Sequence, residues 1–219
     1  MTRHSRTPTR PHSGTPALPY GRQSIDDDDI AAVVEALKSD YLTTGPLVEK
    51  FENALAERCG AKHAVAVSNG TAALHVALIV AGVSQADEVL TQALTFVATC
   101  NAVRYAGANP VFIDVDTDTM GMSPDALRRF LDERALRRDG STWNRKTGRR
   151  LAACVPMHTF GLPGRIGEIA DICTEWHIPL VEDAAESLGS RVADRHTGTF
   201  GCIGTLSFNG NKIVTTGGG

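Results

Sequence analysis

From about residue 60 onward, short apolar runs alternate with stretches that carry apolar residues at helical spacing, and this alternation restricts the fold more than any other feature of the chain. Ala64-Val65-Ala66-Val67 reads as a strand, Thr71 to Ala81 as a helix, Glu88 to Thr91 as a strand and Val97 to Tyr105 as a helix. Val111 to Val115 is the next strand, and Ser123-Pro124-Asp125 caps a helix running to about Ala135. Leu151 to Met157 reads as a strand, Arg165 to His177 as a helix and Pro179 to Val181 as a strand, while the polar stretch Arg137 to Arg150 reads as a surface insertion. Short Gly-rich pieces then predict hairpin-like strands around Thr205 to Phe208 and Ile213 to Val214. Such repetition packs as a mostly parallel sheet flanked by helices, with right-handed crossovers and ligand loops at the carboxyl ends of the strands. The fold class it predicts is α/β.

Upstream, four aspartates after Ser24-Ile25 precede Ile30, Val33, Val34 and Leu37, which predicts a helix whose first-turn acids suit its dipole. Thr44-Gly45-Pro46 opens a second helix carrying Leu47, Phe51 and Leu55, with a stop at Gly60. Residues 1–19 hold four of the ten prolines and no acid, so they read as a disordered arm. Pro8, Pro11 and Pro16 would break the amphipathic helix of a transit peptide, and no apolar signal core is present there. The organisation expected is an arm over 1–19, a helical segment over 20–60 and a larger unit over 61–219. The final Gly217-Gly218-Gly219 terminates no element, so the sequence reads as part of a larger protein.

Composition removes several function classes. Acids outnumber Lys plus Arg by 25 to 22, which gives no basic excess for a nucleic-acid partner. The apolar stretch Ala72 to Val83 is interrupted by His75 and Gly82 and falls short of the roughly 20 residues of a membrane span. Cys59, Cys100, Cys154, Cys173 and Cys202 are scattered without a C-x-x-C pair, so a reducing, cytoplasmic setting is expected, with neither a disulfide framework nor a metal site.

Five positions could carry chemistry. Ser68-Asn69-Gly70-Thr71 joins a predicted strand to a predicted helix, where free backbone N–H groups bind phosphate, although the same residues also make a plain N-cap turn. The glycine fingerprints of dinucleotide and nucleoside triphosphate sites are missing. Glu182-Asp183 closes an apolar strand, so a carboxylate there either meets a cationic partner such as a protonated ring nitrogen or caps the next turn. Lys212 follows Ser207-Phe208-Asn209-Gly210-Asn211, in a Gly-rich setting where a lysine is either a solvated charge or an amine nucleophile. Phe96 stands between strand and helix, as a ring shelf or as core, and His158 lies at a strand's ligand-facing end, as a ligand contact or as hydrogen-bonded framework. In chain order, phosphate loop, aromatic, carboxylate, hydroxyl and lysine are the parts of a pyridoxal phosphate (PLP) site.

From about Tyr20 to its end the chain resembles the DegT/StrS family, the sugar-nucleotide aminotransferases of PLP fold type I. The resemblance is carried by Leu42-Thr43-Thr44-Gly45-Pro46 with Phe51-Glu52, Ser68 to Leu74, Thr95-Phe96-Val97-Ala98-Thr99, Val181 to Ser187, and Ser207 to Lys212. It implies that residues 61–219 are the PLP-binding large domain of such a transferase, without its small C-terminal domain. By the same resemblance Lys212 is the Schiff-base lysine, Asp183 the partner of the pyridine nitrogen, Phe96 the stacking aromatic, Gly70 and Thr71 the phosphate loop, and Ser207 a further phosphate ligand. Glu186 stands where many members carry Gln or His beside the cofactor's phenolic oxygen, and a carboxylate there would repel a phenolate. Thr44 and His158 are the substrate-contact candidates. The implied activity is amination of a keto nucleotide-linked sugar with glutamate as donor, by a homodimer, for surface glycans or nonulosonic acids; the wording around His158 and Asn209 is most similar to the branch making 4-amino-4,6-dideoxy sugars. A PLP-dependent sugar dehydratase shares most of these motifs but carries histidine in place of the lysine. A non-catalytic remnant of such an enzyme is the other alternative.

Overall fold

Asp26 accepts a hydrogen bond from the Asp29 N–H while the Asp29 carboxylate accepts one from the Asp26 N–H, and this capping box starts helix α1 (Asp27–Lys38). The computed structural model describes Gly21 and residues 23–219, so the arm expected over 1–19 lies outside the described residues. Pro46 opens α2 (Pro46–Cys59), which ends at Gly60 in the left-handed region that glycine adopts without steric cost. Then follow α3 (Gly70–Val80), β1 (Glu88–Gln92), α4 (Val97–Tyr105), β2 (Asn109–Ile113), α5 (Pro124–Arg134), the hairpin of β3 (Ala135–Arg138) and β4 (Ser141–Asn144), and β5 (Leu151–Val155). A short 3₁₀ turn over Thr159–Gly161, α6 (Ile166–Glu175), β6 (Val181–Asp183), a small hairpin of β7 (Arg191–Val192) and β8 (Arg195–His196), and β9 (Ile203–Thr205) complete the order.

β1 pairs in parallel with β2 on one side and β5 on the other, and β6 pairs in parallel with β9. Parallel bridges Cys154–Leu180 and Met157–Asp183 set β6 beside β5, so the sheet reads β2-β1-β5-β6-β9. Alternation along the strands sends neighbouring side chains to opposite faces. Leu90 and Cys154 pack with Leu127 and Leu131 of α5 and Ile166, Ile169 and Ile172 of α6. Val89, Ala153, Val155 and Val181 pack with Leu74 and Leu78 of α3 and Val103 of α4. Both faces are therefore covered by helices, the arrangement a parallel sheet requires.

Two local expectations are corrected and one, the surface insertion after α5, gains a definite form. Ala64–Val67 is extended yet forms no strand, because its described partner is a side chain: the Ala66 N–H donates to Glu52 Oε1 of α2 at 2.7 Å, and Val65 stays exposed. The polar stretch after α5 is a hairpin, seated by the Arg137 guanidinium over the Trp176 ring and Arg138 over Trp143. The last parallel strand lies at Ile203–Thr205, earlier than the Gly-rich hairpin predicted, and Ile213 and Val214 are exposed outside any strand. Among the described residues no helix is long and apolar enough to cross a membrane.

Gln92, at the end of β1, is fully buried and uses its whole amide. Its Nε2 donates to the Leu94 carbonyl (2.9 Å) and the Thr159 hydroxyl (3.1 Å), the latter passing its own proton to the Met120 carbonyl (2.9 Å), and its Oε1 accepts from the N–H groups of Met122 (2.9 Å) and Met157 (3.1 Å). One side chain thus ties together the loops after β1, β2 and β5. Gln92→Leu keeps the volume but leaves two buried N–H groups without acceptors, so it should cost roughly 2–4 kcal/mol. Urea unfolding monitored by circular dichroism checks this; a midpoint equal to wild type would refute it.

Candidate active site

Asp183 ends β6 at the carboxyl edge of the sheet and is 2% exposed. On one side the Asp183 N–H donates to the Pro156 carbonyl (3.0 Å) and the His158 N–H donates to the Asp183 carbonyl (3.1 Å), and on the other side Asp183 pairs with Thr205 of β9. The Thr99 hydroxyl donates to Asp183 Oδ2 at 2.7 Å, and the Ala185 N–H approaches Oδ1 at 3.3 Å. Burial pushes the carboxyl above the usual carboxylate range, while the Thr99 hydroxyl, the Ala185 N–H and the Lys212 charge pull partway back.

The start of α3 is the second part. Asn69 is its N-cap, accepting from the Ala72 N–H at 2.9 Å, and the N–H groups of Gly70 and Thr71 have no acceptor among the described residues. Ser207, just past β9, lies directly against this turn: a Cβ at Gly70 would meet Ser207 Cβ at 2.9 Å and Oγ at 3.1 Å. Glycine lets Ser207 approach the turn, so two N–H donors without a described acceptor and a hydroxyl stand together, the donor set of an anion cradle.

Lys212 sits in a turn closed by its own N–H donating to the Asn209 carbonyl (2.9 Å). Phe208 anchors that turn, its ring edge-on to Phe51 of α2 with centroids 5.0 Å apart. The Lys212 side chain is 13% exposed, and its Nζ donates to Glu186 Oε1 at 2.7 Å. Glu186 is therefore a counter-charge for the lysine in this structure.

Phe96 caps α4 one turn ahead of Thr99, and its ring is 68% exposed. Thr44 is exposed ahead of α2 and makes no described hydrogen bond to the other candidates. His158 is 1% exposed, its Nδ1 accepts from the Gly164 N–H (3.3 Å), and its Nε2 faces Glu182 Oε2 at 3.2 Å. Both ring nitrogens are engaged inside the protein, the hydrogen-bonded framework role that the sequence offers beside ligand contact.

Glu182, which the sequence reading names only as part of the Glu182-Asp183 pair, has a separate role of its own. It is fully buried, and besides His158 it accepts from the N–H groups of Gly198 (2.8 Å), Phe200 and Gly201 (2.7 Å). The loop can approach so closely because a Cβ at Gly201 would collide with the Leu180 carbonyl oxygen and one at Gly204 with that of Gly198. Thr99 and Gln92 also escaped notice as individual residues; a hydroxyl at the third position of a helix that follows a strand end was the available signal for Thr99.

A cavity of about 1070 Å³ lies to one side, between α2, the 61–67 segment and β9, and meets the cradle at Asn69 and Gly70. Lys212, Asp183 and Thr71 do not line it. The candidate site is thus an open place on the strand ends, bounded by the cradle, Asp183 and the Lys212–Glu186 pair.

The family model for the DegT/DnrJ/EryC1/StrS aminotransferases matches residues 23–219. The chain belongs to this family. EpsN of Bacillus subtilis (strain 168), whose name places it among PLP-dependent aminotransferases, is 44% identical over 188 residues, 85% of this chain and 46% of its own. GDP-perosamine synthase of Escherichia coli O157:H7 is 35% identical over 203 residues, 92% of this chain and 51% of its own. Among solved structures, 3-amino-5-hydroxybenzoic acid synthase superposes with a TM-score of 0.77 at 32% identity, covering 93% of this chain and 48% of that one. The chain spans about half the length of the relatives it matches. The family cofactor is PLP, and the residues present fit it: an open glycine cradle for a phosphate, a buried carboxylate for a ring nitrogen and a lysine for an aldehyde.

Such a carboxylate works against stability. Its folded-state pKa lies above the unfolded value of about 3.9, so the cost is absent below that value and fully present above the folded one. Asp183→Asn in this aminotransferase-family chain should therefore be at least as stable as wild type at pH 7 and lose that advantage toward pH 4. Paired urea titrations at the two pH values test the sign; a variant that gains relative to wild type on acidification would contradict it.

Proposed function

We propose that this chain carries the cofactor-binding part of an aminotransferase that converts a keto nucleotide-linked sugar to an amino sugar with glutamate as amino donor. The observation that carries the reading is the meeting of Lys212, buried Asp183 and the Gly70–Ser207 cradle at one edge of the sheet, although they lie far apart in sequence. The name of one relative, GDP-perosamine synthase, supports a nucleotide-linked sugar as the substrate class; the destination proposed for the product is a surface glycan or a nonulosonic acid.

Bound at this edge, PLP supplies an aldehyde for an amine to engage and an electron sink for the carbon being aminated. The Gly70 and Thr71 N–H groups and the Ser207 hydroxyl would hold its phosphate, and Phe96 would supply an aromatic surface for its ring. Asp183 keeps a proton on the ring nitrogen, which a dry carboxylate does better than a hydrated one. Lys212 Nζ, held by Glu186 at 2.7 Å until it leaves that ion pair, would be the amine that engages the aldehyde and would then carry protons to and from the substrate carbon as a general acid-base. Thr44 belongs to the substrate-facing rim. The protein works as a cytoplasmic homodimer, with the 20–60 helical segment, whose Ile30, Val33 and Leu37 are exposed, facing further protein and the 61–219 unit holding the cofactor. Lysine at position 212 separates this reading from the dehydratase one.

Adding PLP to the purified chain should produce an absorbance that borohydride fixes, with the reduced adduct mapping to Lys212 by peptide mass spectrometry. Lys212→Ala should give no such adduct, and Glu186→Gln, which releases the amine from its ion pair, should form it several-fold faster at neutral pH. An adduct on another lysine, or none, would overturn the assignment.

A further inference from the structure

Asp183 has few counterweights to its burial. Among the described residues the largest are the Thr99 hydroxyl, the Ala185 N–H and the Lys212 charge, and Thr99 is the strongest of them. Lys212 is already committed to Glu186, and His158 to Glu182 and the Gly164 N–H. Thr99 belongs to the first turn of α4, where the helix dipole favours a nearby negative charge. Its hydroxyl reaches 84 residues along the chain to Asp183 Oδ2, at 2.7 Å.

Behind Thr99 stands Thr95, with the two hydroxyl oxygens 2.6 Å apart. An ionised carboxylate only accepts, so the single Thr99 proton points to Asp183 and the Thr95 proton must point to Thr99. Thr95 therefore turns its hydrogen away from Met157 Sδ, which lies 3.1 Å off as a weak acceptor. The result is a directed relay, Thr95 to Thr99 to Asp183, in which each bond polarises the next.

We propose that Thr99, backed by Thr95, is a positioning residue for the reaction: the two-hydroxyl relay holds Asp183 ionised and in a fixed orientation, ready for a ring nitrogen before the cofactor arrives. The functional part rests on the assignment of Asp183 to that nitrogen. Thr99 touches neither cofactor nor substrate and acts only through the carboxylate. A threonine serving only as core packing would be replaceable by valine, whereas one serving as donor is replaceable by serine.

The test is a carbon-13 NMR titration of the Asp183 carboxyl in the cofactor-free 219-residue chain, comparing wild type with Thr99→Val, Thr99→Ser and Thr95→Val. Thr99→Val should raise the midpoint by roughly one to two pH units, the worth of a hydrogen bond to a charged group. Thr99→Ser should stay with wild type and Thr95→Val should shift the same way by less. If Thr99→Val does not fold, the Thr95→Val shift and the Thr99→Ser control carry the same comparison. Coincident midpoints for wild type and the valine variants, or a serine variant shifted as far as valine, overturn the relay. In parallel, affinity is measured for PLP and for its 1-deaza analogue, which has carbon in place of the ring nitrogen. Wild type should prefer PLP, and Thr99→Val should lose most of that preference without losing affinity for the analogue. A wild type indifferent to the ring nitrogen overturns the Asp183 assignment and the relay's functional role together; a preference that survives in Thr99→Val overturns the relay alone.

Discussion

Glu182 is a carboxylate sealed from water, and the ligand edge of the sheet is arranged around the need to satisfy it. A buried charge without donors costs several kcal/mol, about the scale of a domain's whole stability. Here three backbone N–H groups of the 198–201 loop and the His158 ring supply the donors. That requirement draws the loop over the end of β6, seats His158 beneath the site and so fixes the strand on which Asp183 is the next residue. Successive residues of a strand face opposite ways, so one carboxylate can be wholly structural while its neighbour is available for chemistry.

A similar logic holds two strands over, on β1. Gln92 takes on the backbone groups that the loops after β1, β2 and β5 would otherwise leave unpaired, and Thr99 extends from the following helix to Asp183. The two apolar layers on either side of the sheet supply bulk burial but no direction. Polar side chains with every bond made give the strand ends a single geometry, because any slip leaves a donor or acceptor stranded. The site is thus held by a polar lattice just beneath it, and its own groups are left comparatively open.

Periodicity made the helix at Val97–Tyr105 and the strand at Glu88–Gln92 legible, because burial there follows local spacing. It misled at Ala64–Val67, where alternation is real but Glu52 is the described partner of the backbone. Ile203–Thr205 was hidden by Gly201 and Gly204, which weaken any strand signal and yet are what lets the loop close on Glu182. Motif order brought out Lys212, Asp183, Gly70 and Ser207, and the coordinates add the contacts Gly70–Ser207 and Lys212–Glu186. Thr99 and Glu182 could not be singled out, since their roles depend on partners far along the chain or on backbone groups that carry no letter in the sequence. His158 was correctly placed at a strand end, but whether a side chain there points to solvent or to a buried carboxylate is a tertiary property.

The closely packed glycine loop also bears on how such a site can change over time. Between Gly198 and Gly204 the backbone leaves no room for side chains at Gly201 or Gly204, so substitution there is blocked by collision with carbonyl oxygens before any new chemistry can be sampled. Residues such as Phe96, Phe160 and Thr44 are exposed and carry no such restriction. Evolutionary freedom is therefore divided by geometry: the loop that fixes the carboxylates is frozen, and altered ligand preference has to be written into the exposed rim.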